Sequence, residues 1–235
     1  MNALRRSAGI LAEFLFSAQC PCCGSGVSSS GGLCARCESG LSEYAGDCPV
    51  CGGVTSGVCP DCGDRKVYYD RSLSLYRYDA AARRMIAALK SGNSPELGRF
   101  LGERSADSFG PRPLPDIITF VPVSKKRRRE RGYNQAELIA RSLGRRLGVP
   151  VRGLLFAFGA GNQKRMHYHE RFLNMLGRFG ADGNRDLEGR SVLLVDDVFT
   201  TGSTVNECAR ILKKMGAAAV FSLTVARVDN KKVDV

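Results

Sequence analysis

The chain has 235 residues, of which 43% are hydrophobic and 25% are charged, and this is enough for a small module and one larger domain. No segment after the N-terminus is long and apolar enough to span a bilayer, which excludes a membrane-spanning protein and predicts a soluble, cytoplasmic one. The formal net charge of +12 favours polyanionic partners.

The N-terminal segment has helical periodicity. Its apolar residues recur three or four positions apart: Leu4, Ala8, Leu11 and Leu15. This spacing predicts an amphipathic helix over residues 1–19. A signal peptide or lipoprotein anchor is a poorer interpretation, because Glu13 interrupts the apolar stretch and Gln19 is too large for the position before a lipidated cysteine.

Nine of the ten cysteines lie between Cys20 and Cys62. Eight of them form C-x-x-C pairs: Cys20 and Cys23, Cys34 and Cys37, Cys48 and Cys51, Cys59 and Cys62. This spacing is typical of zinc ribbons, and it predicts two structural Zn²⁺ sites, each with four thiolate ligands, in a double zinc ribbon over residues 20–66. With both sites filled, the net charge falls to about +8.

Three features of this cysteine module stay open. Consecutive pairing of the C-x-x-C units is the simplest assignment, and an interleaved cross-brace is the alternative. Cys22 lies inside the first pair and could replace a neighbouring ligand. A disulfide framework is the competing interpretation, but it requires an oxidising compartment.

The remaining residues, 67–235, alternate between predicted strands and helices. Strands are predicted at 72–78, 116–123, 191–195 and 218–226, and helices at 80–91, 95–108, 134–147 and 205–215. The continuous apolar run of residues 191–195 is typical of a strand buried on both faces of a parallel sheet. The alternation predicts an α/β domain whose mainly parallel sheet is flanked by helices.

A cluster of basic residues follows the strand predicted at 116–123. Its members are Lys125, Lys126, Arg127, Arg128, Arg129 and Arg131. We expect them in a loop on the ligand-binding side of the sheet, where the carboxyl ends of parallel strands lie. They could bind pyrophosphate or a nucleic-acid backbone, and an ordinary solvated loop is the alternative.

Two adjacent carboxylates, Asp196 and Asp197, and then a hydroxyl-rich loop follow the strand predicted at 191–195. The loop residues are Thr200, Thr201, Gly202, Ser203 and Thr204. The next helix directs its free N–H groups at this loop, which makes a cradle for phosphate. The carboxylates need a diol or a magnesium ion nearby, and a phosphorylated ribose offers a phosphate and a diol. The alternative is an ordinary helix cap and turn.

Residues 191–204, SVLLVDDVFTTGST, resemble the signature of the type I phosphoribosyltransferases. The resemblance implies the fold of that family. It also implies that Asp196 and Asp197 contact the ribose hydroxyls of phosphoribosyl pyrophosphate (PRPP). The loop residues would bind the 5′-phosphate: Thr200, Thr201, Gly202, Ser203 and Thr204. Mg²⁺ is expected to accompany PRPP.

Four stretches resemble the ComF family, bacterial phosphoribosyltransferase-like proteins linked to natural DNA uptake. They are the double cysteine ribbon, residues 86–92 (IAALKSG), residues 131–140 (RGYNQAELIA) and residues 163–174 (QKRMHYHERFLN). The resemblance covers nearly the whole chain in order. It implies a type I phosphoribosyltransferase domain behind a double zinc ribbon.

The ComF resemblance also implies roles for individual residues. Arg131, Asn134 and Gln135 would line or brace the substrate crevice. Lys90 and Lys125 would contact pyrophosphate. A flap over the site would contain Gln163, Arg171 and Asn174.

We therefore expect a Mg²⁺-dependent phosphoribosyltransferase that acts on PRPP and an unknown acceptor. The residues expected to be catalytic are Asp196, Asp197, Arg131 and Lys125. Single-stranded DNA and a competence helicase are the expected macromolecular partners. The alternative is a non-catalytic protein that senses PRPP and binds nucleic acid, or a scaffold that docks the helicase.

Overall fold

The computed structural model describes residues 19–27, 32–63, 65–91, 94–108, 113–158, 177–181 and 187–229. The helix predicted over residues 1–19 lies outside this part of the chain, except for its last residue. The boundary predicted between residues 66 and 67 stays a prediction.

Twelve helices and strands are described within these ranges. In chain order they are α1 (Ala35–Ser39), β1 (Arg71–Arg77), α2 (Ala80–Lys90), α3 (Pro95–Asp107), β2 (Ile117–Phe120), α4 (Lys125–Arg131), α5 (Gln135–Leu147), β3 (Leu155–Ala157), β4 (Phe179–Ala181), β5 (Ser191–Phe199), α6 (Ser203–Lys214) and β6 (Ala219–Arg227). The strands and helices predicted for residues 67–235 are all present, most of them with ends shifted by one to three residues. None of the helices within the described ranges combines the length and the hydropathy needed to cross a bilayer.

The main sheet has four strands in the order β1-β6-β5-β2, and every pair is parallel. The predicted parallel α/β class is therefore confirmed. Strands β3 and β4 form a separate antiparallel pair. The central strand β5 is longer than predicted, because its pairing with β6 continues through Asp196 to Phe199.

Side chains of β5 alternate between two hydrophobic cores on opposite faces of the sheet. Leu193 and Val195 pack in the core that contains α2, α3 and α5. Val192 and Leu194 pack in the core that contains α6. This alternation follows from strand geometry, in which successive side chains point to opposite faces.

The cysteine-rich segment contacts both cores. Cys20, partly buried Cys34 and Cys37 pack against the α2 side, whereas Cys48 and Cys51 pack against the α6 side. Between these two groups the chain runs antiparallel to the edge strand β1. There the amide of Tyr44 donates to the carbonyl of Leu75 at 2.8 Å. This pairing covers part of an edge that would otherwise expose unpaired backbone groups.

The basic segment at residues 125–131 is the helix α4, so the prediction of a loop there is wrong. Ser124 caps this helix, because its hydroxyl accepts a hydrogen bond from the amide of Arg127 at 3.3 Å. Gly132 ends it with a left-handed conformation at φ 79°. Lysine and arginine have high helix propensity. Ser124 supplies the signal that starts the helix and Gly132 the signal that ends it, and the run of charges obscures both in the sequence.

Candidate functional site

The two carboxylates predicted to hold a sugar lie near the carboxyl end of β5. Asp197 is on the α2 side of the sheet, where its Oδ2 atom lies 2.9 Å from Nζ of Lys90 at the end of α2. Asp196 has the opposite orientation expected from strand alternation, and its negative charge contributes to raising the pKa of Cys208 in α6. The structure therefore brings Lys90 to the acidic pair and directs the two carboxyl groups to different sides of the strand. The predicted contact of Lys90 with pyrophosphate stays a prediction.

Asp196 has a strongly perturbed acidity. Burial, together with repulsion from Asp197, raises the pKa of the Asp196 carboxyl to about 8. A hydrogen bond of 2.8 Å from the Asp197 amide to Oδ1 of Asp196 and the charge of Lys90 oppose this increase. Titratable groups with such shifts are frequent at functional sites, because burial that is costly for stability is retained where chemistry needs it.

The hydroxyl loop (residues 200–204) connects β5 to α6. Gly202, the N-cap residue of α6, has a left-handed conformation with φ 72° and no side chain that could cap the helix, and the Ser203 amide donates to Oγ1 of Thr201 at 3.4 Å. Within the loop, Thr201 Oγ1 and Ser203 Oγ are hydrogen-bonded at 2.8 Å. Helix α6 therefore begins with first-turn N–H groups that no side chain of the N-cap occupies, which is the arrangement that binds phosphate in many α/β proteins.

The ring of Phe199 forms the floor under this loop. A Cβ atom on Gly202 would lie 2.3 Å from Cζ of Phe199, so the backbone of the loop rests directly on the ring. Phe199 is 1% exposed. Glycine at 202 is required by both the positive φ and this close approach.

Residues 131–135 connect the ends of α2, β2 and α5, and their predicted role at a substrate crevice stays a prediction. The hydroxyl of Tyr133 donates to the carbonyl of Leu89 at 2.8 Å, which fixes the end of α2 where Lys90 lies. Asn134 is buried and caps α5 by accepting from the Ala136 amide at 3.0 Å.

Asn134 also connects α5 to the end of β2. Its Nδ2 group donates to the carbonyl of Val121, just after β2, at 3.0 Å. Gln135 is buried and accepts a hydrogen bond of 3.2 Å from Arg131. These contacts hold α5 against the carboxyl end of β2.

Other predicted residues are less closely connected to the acidic pair. Lys125 is exposed in the first turn of α4, and its carbonyl accepts a hydrogen bond of 3.4 Å from Nε of Arg129. Its contact with pyrophosphate stays a prediction. The predicted flap residues Gln163, Arg171 and Asn174 lie outside the described residues.

The eight paired cysteines form two compact groups in the consecutive arrangement. The first cysteine cluster contains Cys20, Cys23, Cys34 and Cys37, and the second contains Cys48, Cys51, Cys59 and Cys62. The ligand atoms of each cluster lie within 4.8 Å of one another. This grouping decides between the two pairings that the sequence leaves open and disfavours the cross-brace.

The sulfur positions fit tetrahedral zinc. A zinc–sulfur distance of about 2.3 Å places tetrahedral sulfur ligands about 3.8 Å apart. The Sγ atoms of Cys48 and Cys62 are 3.6 Å apart, and those of Cys23 and Cys34 are also 3.6 Å apart. Cys22 belongs to neither cluster and instead packs beside the α2 core.

Sequence reasoning missed three contributors to the site: Tyr133, Phe199 and Arg227. Tyr133 lies at an unspecified position of the R-G-x-N-Q motif, and Phe199 looks like one more apolar strand residue. Arg227 ends an apolar strand and is nevertheless 0% exposed. A lone arginine after a buried run is a signal that it needs partners, but the sequence does not identify them.

Comparisons with known proteins agree with this arrangement. The model of the family described as the phosphoribosyl transferase domain matches residues 133–235. These residues include the acidic pair and the hydroxyl loop. The predicted fold, a phosphoribosyltransferase-type parallel sheet behind a zinc-ribbon-like module, is therefore confirmed.

Three relatives extend the match toward the N-terminus. Competence protein ComFC of Bacillus subtilis is 31% identical over an alignment of 197 positions that covers 74% of this chain and 79% of the relative. Competence protein F of Haemophilus influenzae is 29% identical over 72% of this chain and 78% of its own length. DNA utilization protein YhgH of Salmonella typhi is 29% identical over 80% of this chain and 86% of its own length. With this extent of identity and the two cysteine clusters, the chain belongs to the ComF family.

Proposed function

We propose that this protein binds PRPP with Mg²⁺ and transfers its phosphoribosyl group to an acceptor that is still to be identified. The observation that carries the proposal is the combination of Asp196 and Asp197 with the hydroxyl loop at one end of β5. The N-terminus of α6 offers backbone donors for the 5′-phosphate. The carboxylates offer acceptors for the ribose hydroxyls, and hard oxygen ligands suitable for Mg²⁺.

Lys90 supplies the positive charge that the leaving group needs. Its ammonium group pairs with Asp197 at 2.9 Å. When PRPP binds, the pyrophosphate would take over this cation, while Asp197 turns to the ribose. The side chains of Lys90 and Asp197 are 34% and 16% exposed, so the exchange needs no opening of the core.

The proposed reaction is a displacement at the anomeric carbon of the ribose. The bond from this carbon to the pyrophosphate oxygen breaks, and pyrophosphate leaves with the electron pair. A bond to the acceptor nucleophile forms, and the acceptor proton passes to solvent. The residues of the chain act by positioning and by charge stabilisation, so no covalent intermediate with a side chain is required. When bound, Mg²⁺ offsets the negative charge of the pyrophosphate.

Calorimetric titration of PRPP with Mg²⁺ tests the binding site. Asp197→Asn is expected to weaken binding at least about tenfold, the loss of about 1.4 kcal/mol that a charged hydrogen bond represents. Asp196→Asn is expected to weaken binding by less, because the raised pKa of about 8 leaves the Asp196 carboxyl protonated at neutral pH. The matched control is Asp116→Asn, because Asp116 accepts from the Ser191 amide at the opposite end of β5. Unchanged affinity in both site variants would refute the proposed site.

A screen of nucleophiles for pyrophosphate release tests catalysis. Release that depends on one acceptor, on PRPP and on Mg²⁺ supports the transferase. Tight PRPP binding with no release from any nucleophile class would favour the alternative, in which the protein is a non-catalytic PRPP sensor or a scaffold that docks a competence helicase.

We also propose that the protein contacts single-stranded DNA during DNA uptake, as the names of the competence relatives lead us to expect. The supporting observation is the helix α4, which presents exposed basic side chains near the carboxyl end of β2: Lys125, Lys126, Arg127, Arg128 and Arg129. Such a surface binds a phosphate backbone without reading sequence.

Salt-dependent binding of a single-stranded oligonucleotide tests this contact. Replacing Arg127 and Arg129 by alanine is expected to reduce the slope of log affinity against log salt by about 1.4, since each phosphate contact on a single strand contributes about 0.7. The control replaces exposed Arg71 and Lys214, which removes the same charge at the opposite end of the sheet. Equal slopes in the two variants would exclude α4 as the contact surface.

A further inference from the structure

Arg227 is a buried cation between the second cysteine cluster and the floor of the hydroxyl loop. It ends β6, and its guanidinium Nη1 donates to the carbonyl of Cys51 at 2.5 Å. Nη2 lies 3.4 Å from Sγ of Cys51 and pairs with the carboxylate of Asp61. A Cβ atom on Gly53 would lie 2.9 Å from Nη2, so the guanidinium occupies the space next to Gly53 beside the cluster.

The same guanidinium lies over the ring of Phe199. The Cζ atom of Arg227 lies 4.0 Å from the centre of the Phe199 ring. Phe199 and Arg227 are also register partners in the β5–β6 pair. Because Gly202 lies against the Cζ atom of the same ring, Phe199 contacts both the guanidinium beside the cluster and the backbone of the loop.

A second connection runs beside the first. Asn206, in the first turns of α6, accepts a hydrogen bond from the Tyr68 amide at 2.7 Å and donates to the carbonyl of Lys66 at 3.0 Å. Residues 66–68 follow the second cluster directly. The backbone N–H of Asn206 in turn donates to the carbonyl of Gly202 at 2.8 Å.

We propose that Arg227 is a positioning residue through which the metal-bound second cysteine cluster sets the conformation of the hydroxyl loop. The consequence for ligand binding rests on the proposed PRPP site. The cluster holds Cys51 and Asp61 in place, they orient the guanidinium, and the guanidinium holds the Phe199 ring under Gly202. The first cysteine cluster packs against the α2 side of the sheet and lacks this route among the described contacts.

Hydrogen exchange of the amides in residues 200–206, followed by mass spectrometry on the full zinc-loaded chain, tests the coupling. Arg227→Met is expected to raise exchange in this segment about tenfold, because it removes a desolvated cation–π contact and the fork to Cys51. Arg227→Lys is expected to fall between the wild type and Arg227→Met, since it keeps the charge without the planar fork. The matched control is Arg77→Met, which changes the register partner of Arg227 on β1.

Unchanged loop exchange in an Arg227→Met protein that still binds two zinc ions would overturn the inference. So would an increase in Arg77→Met or in Arg227→Lys as large as the increase in Arg227→Met. If Arg227→Met fails to fold, variants of the cysteine ligands test the inference instead. Cys62→Ser is expected to raise loop exchange above the level in Cys37→Ser, and the reverse order also overturns the inference.

Calorimetric titration with ribose 5-phosphate is a separate measurement. Arg227→Lys is expected to lower the affinity for ribose 5-phosphate several-fold. Failure of the wild type to bind PRPP and ribose 5-phosphate would refute the proposed function alone, because the exchange experiment needs no ligand.

Discussion

Replacing Gly202 by alanine probes the contact on which the hydroxyl loop depends. At φ 72° a residue with a Cβ atom costs about 1–2 kcal/mol. The new Cβ atom would lie 2.3 Å from Cζ of Phe199, where ordinary carbon contacts are about 3.5–4.0 Å, and such overpacking costs about 1–3 kcal/mol. We therefore expect Gly202→Ala to lower the free energy of unfolding by about 2–5 kcal/mol.

Urea unfolding in the presence of zinc measures this loss, and Gly189→Ala is the matched control. Gly189 has φ 70°, and a Cβ atom added there would have no other atom within 4 Å, so its substitution carries the backbone cost alone. The difference between the variants isolates the contact with Phe199. In a Phe199→Leu background, Gly202→Ala should cost less, because the smaller side chain leaves room for the methyl group. Equal losses for Gly202→Ala and Gly189→Ala would refute the argument that the ring is a rigid floor.

Three further predictions concern the acidic pair and its support. Because burial raises the pKa of Asp196 to about 8, the native state holds a proton that the unfolded chain releases near pH 4, and stability falls as the pH rises between these values. The melting temperature of Asp196→Asn should therefore exceed that of the wild type by a margin that grows from about pH 5 to about pH 8, and a constant margin would contradict this. In calorimetry, Lys90→Met should lower the affinity for PRPP more than the affinity for ribose 5-phosphate, because Lys90 is assigned to the pyrophosphate. Equal losses of affinity for the two ligands would contradict that role. Tyr133→Phe should lower the free energy of unfolding by about 1 kcal/mol through loss of the bond to Leu89, and no loss in urea unfolding would show that the bond contributes nothing.

The sequence predicts the elements of the α/β domain well because their signals are local. The apolar run of residues 191–195 identifies the central strand, and the periodicity of residues 134–147 identifies α5, with Asn134 as its cap. The segment at 125–131 is the exception. There the charge pattern is typical of a solvated loop, whereas the caps Ser124 and Gly132 produce a helix.

The composition of the candidate site is also readable from the sequence, because its acidic pair and hydroxyl loop are contiguous. The C-x-x-C spacing likewise identifies the eight thiols of the two clusters. Which pairs share a cluster is a question of distance in space, and the structure answers it by separating the two groups onto opposite faces of the sheet.

The amino-acid sequence by itself determined the elements, the hydroxyl loop and the supply of metal ligands, since each depends on residues a few positions apart. Only the tertiary structure decided which distant side chains complete the site. Lys90 meets Asp197, and Arg227 lies between Phe199 and the second cluster, because the strand order β1-β6-β5-β2 and its register place them there. Strand order and register arise from the packing of the whole sheet, which no local pattern specifies.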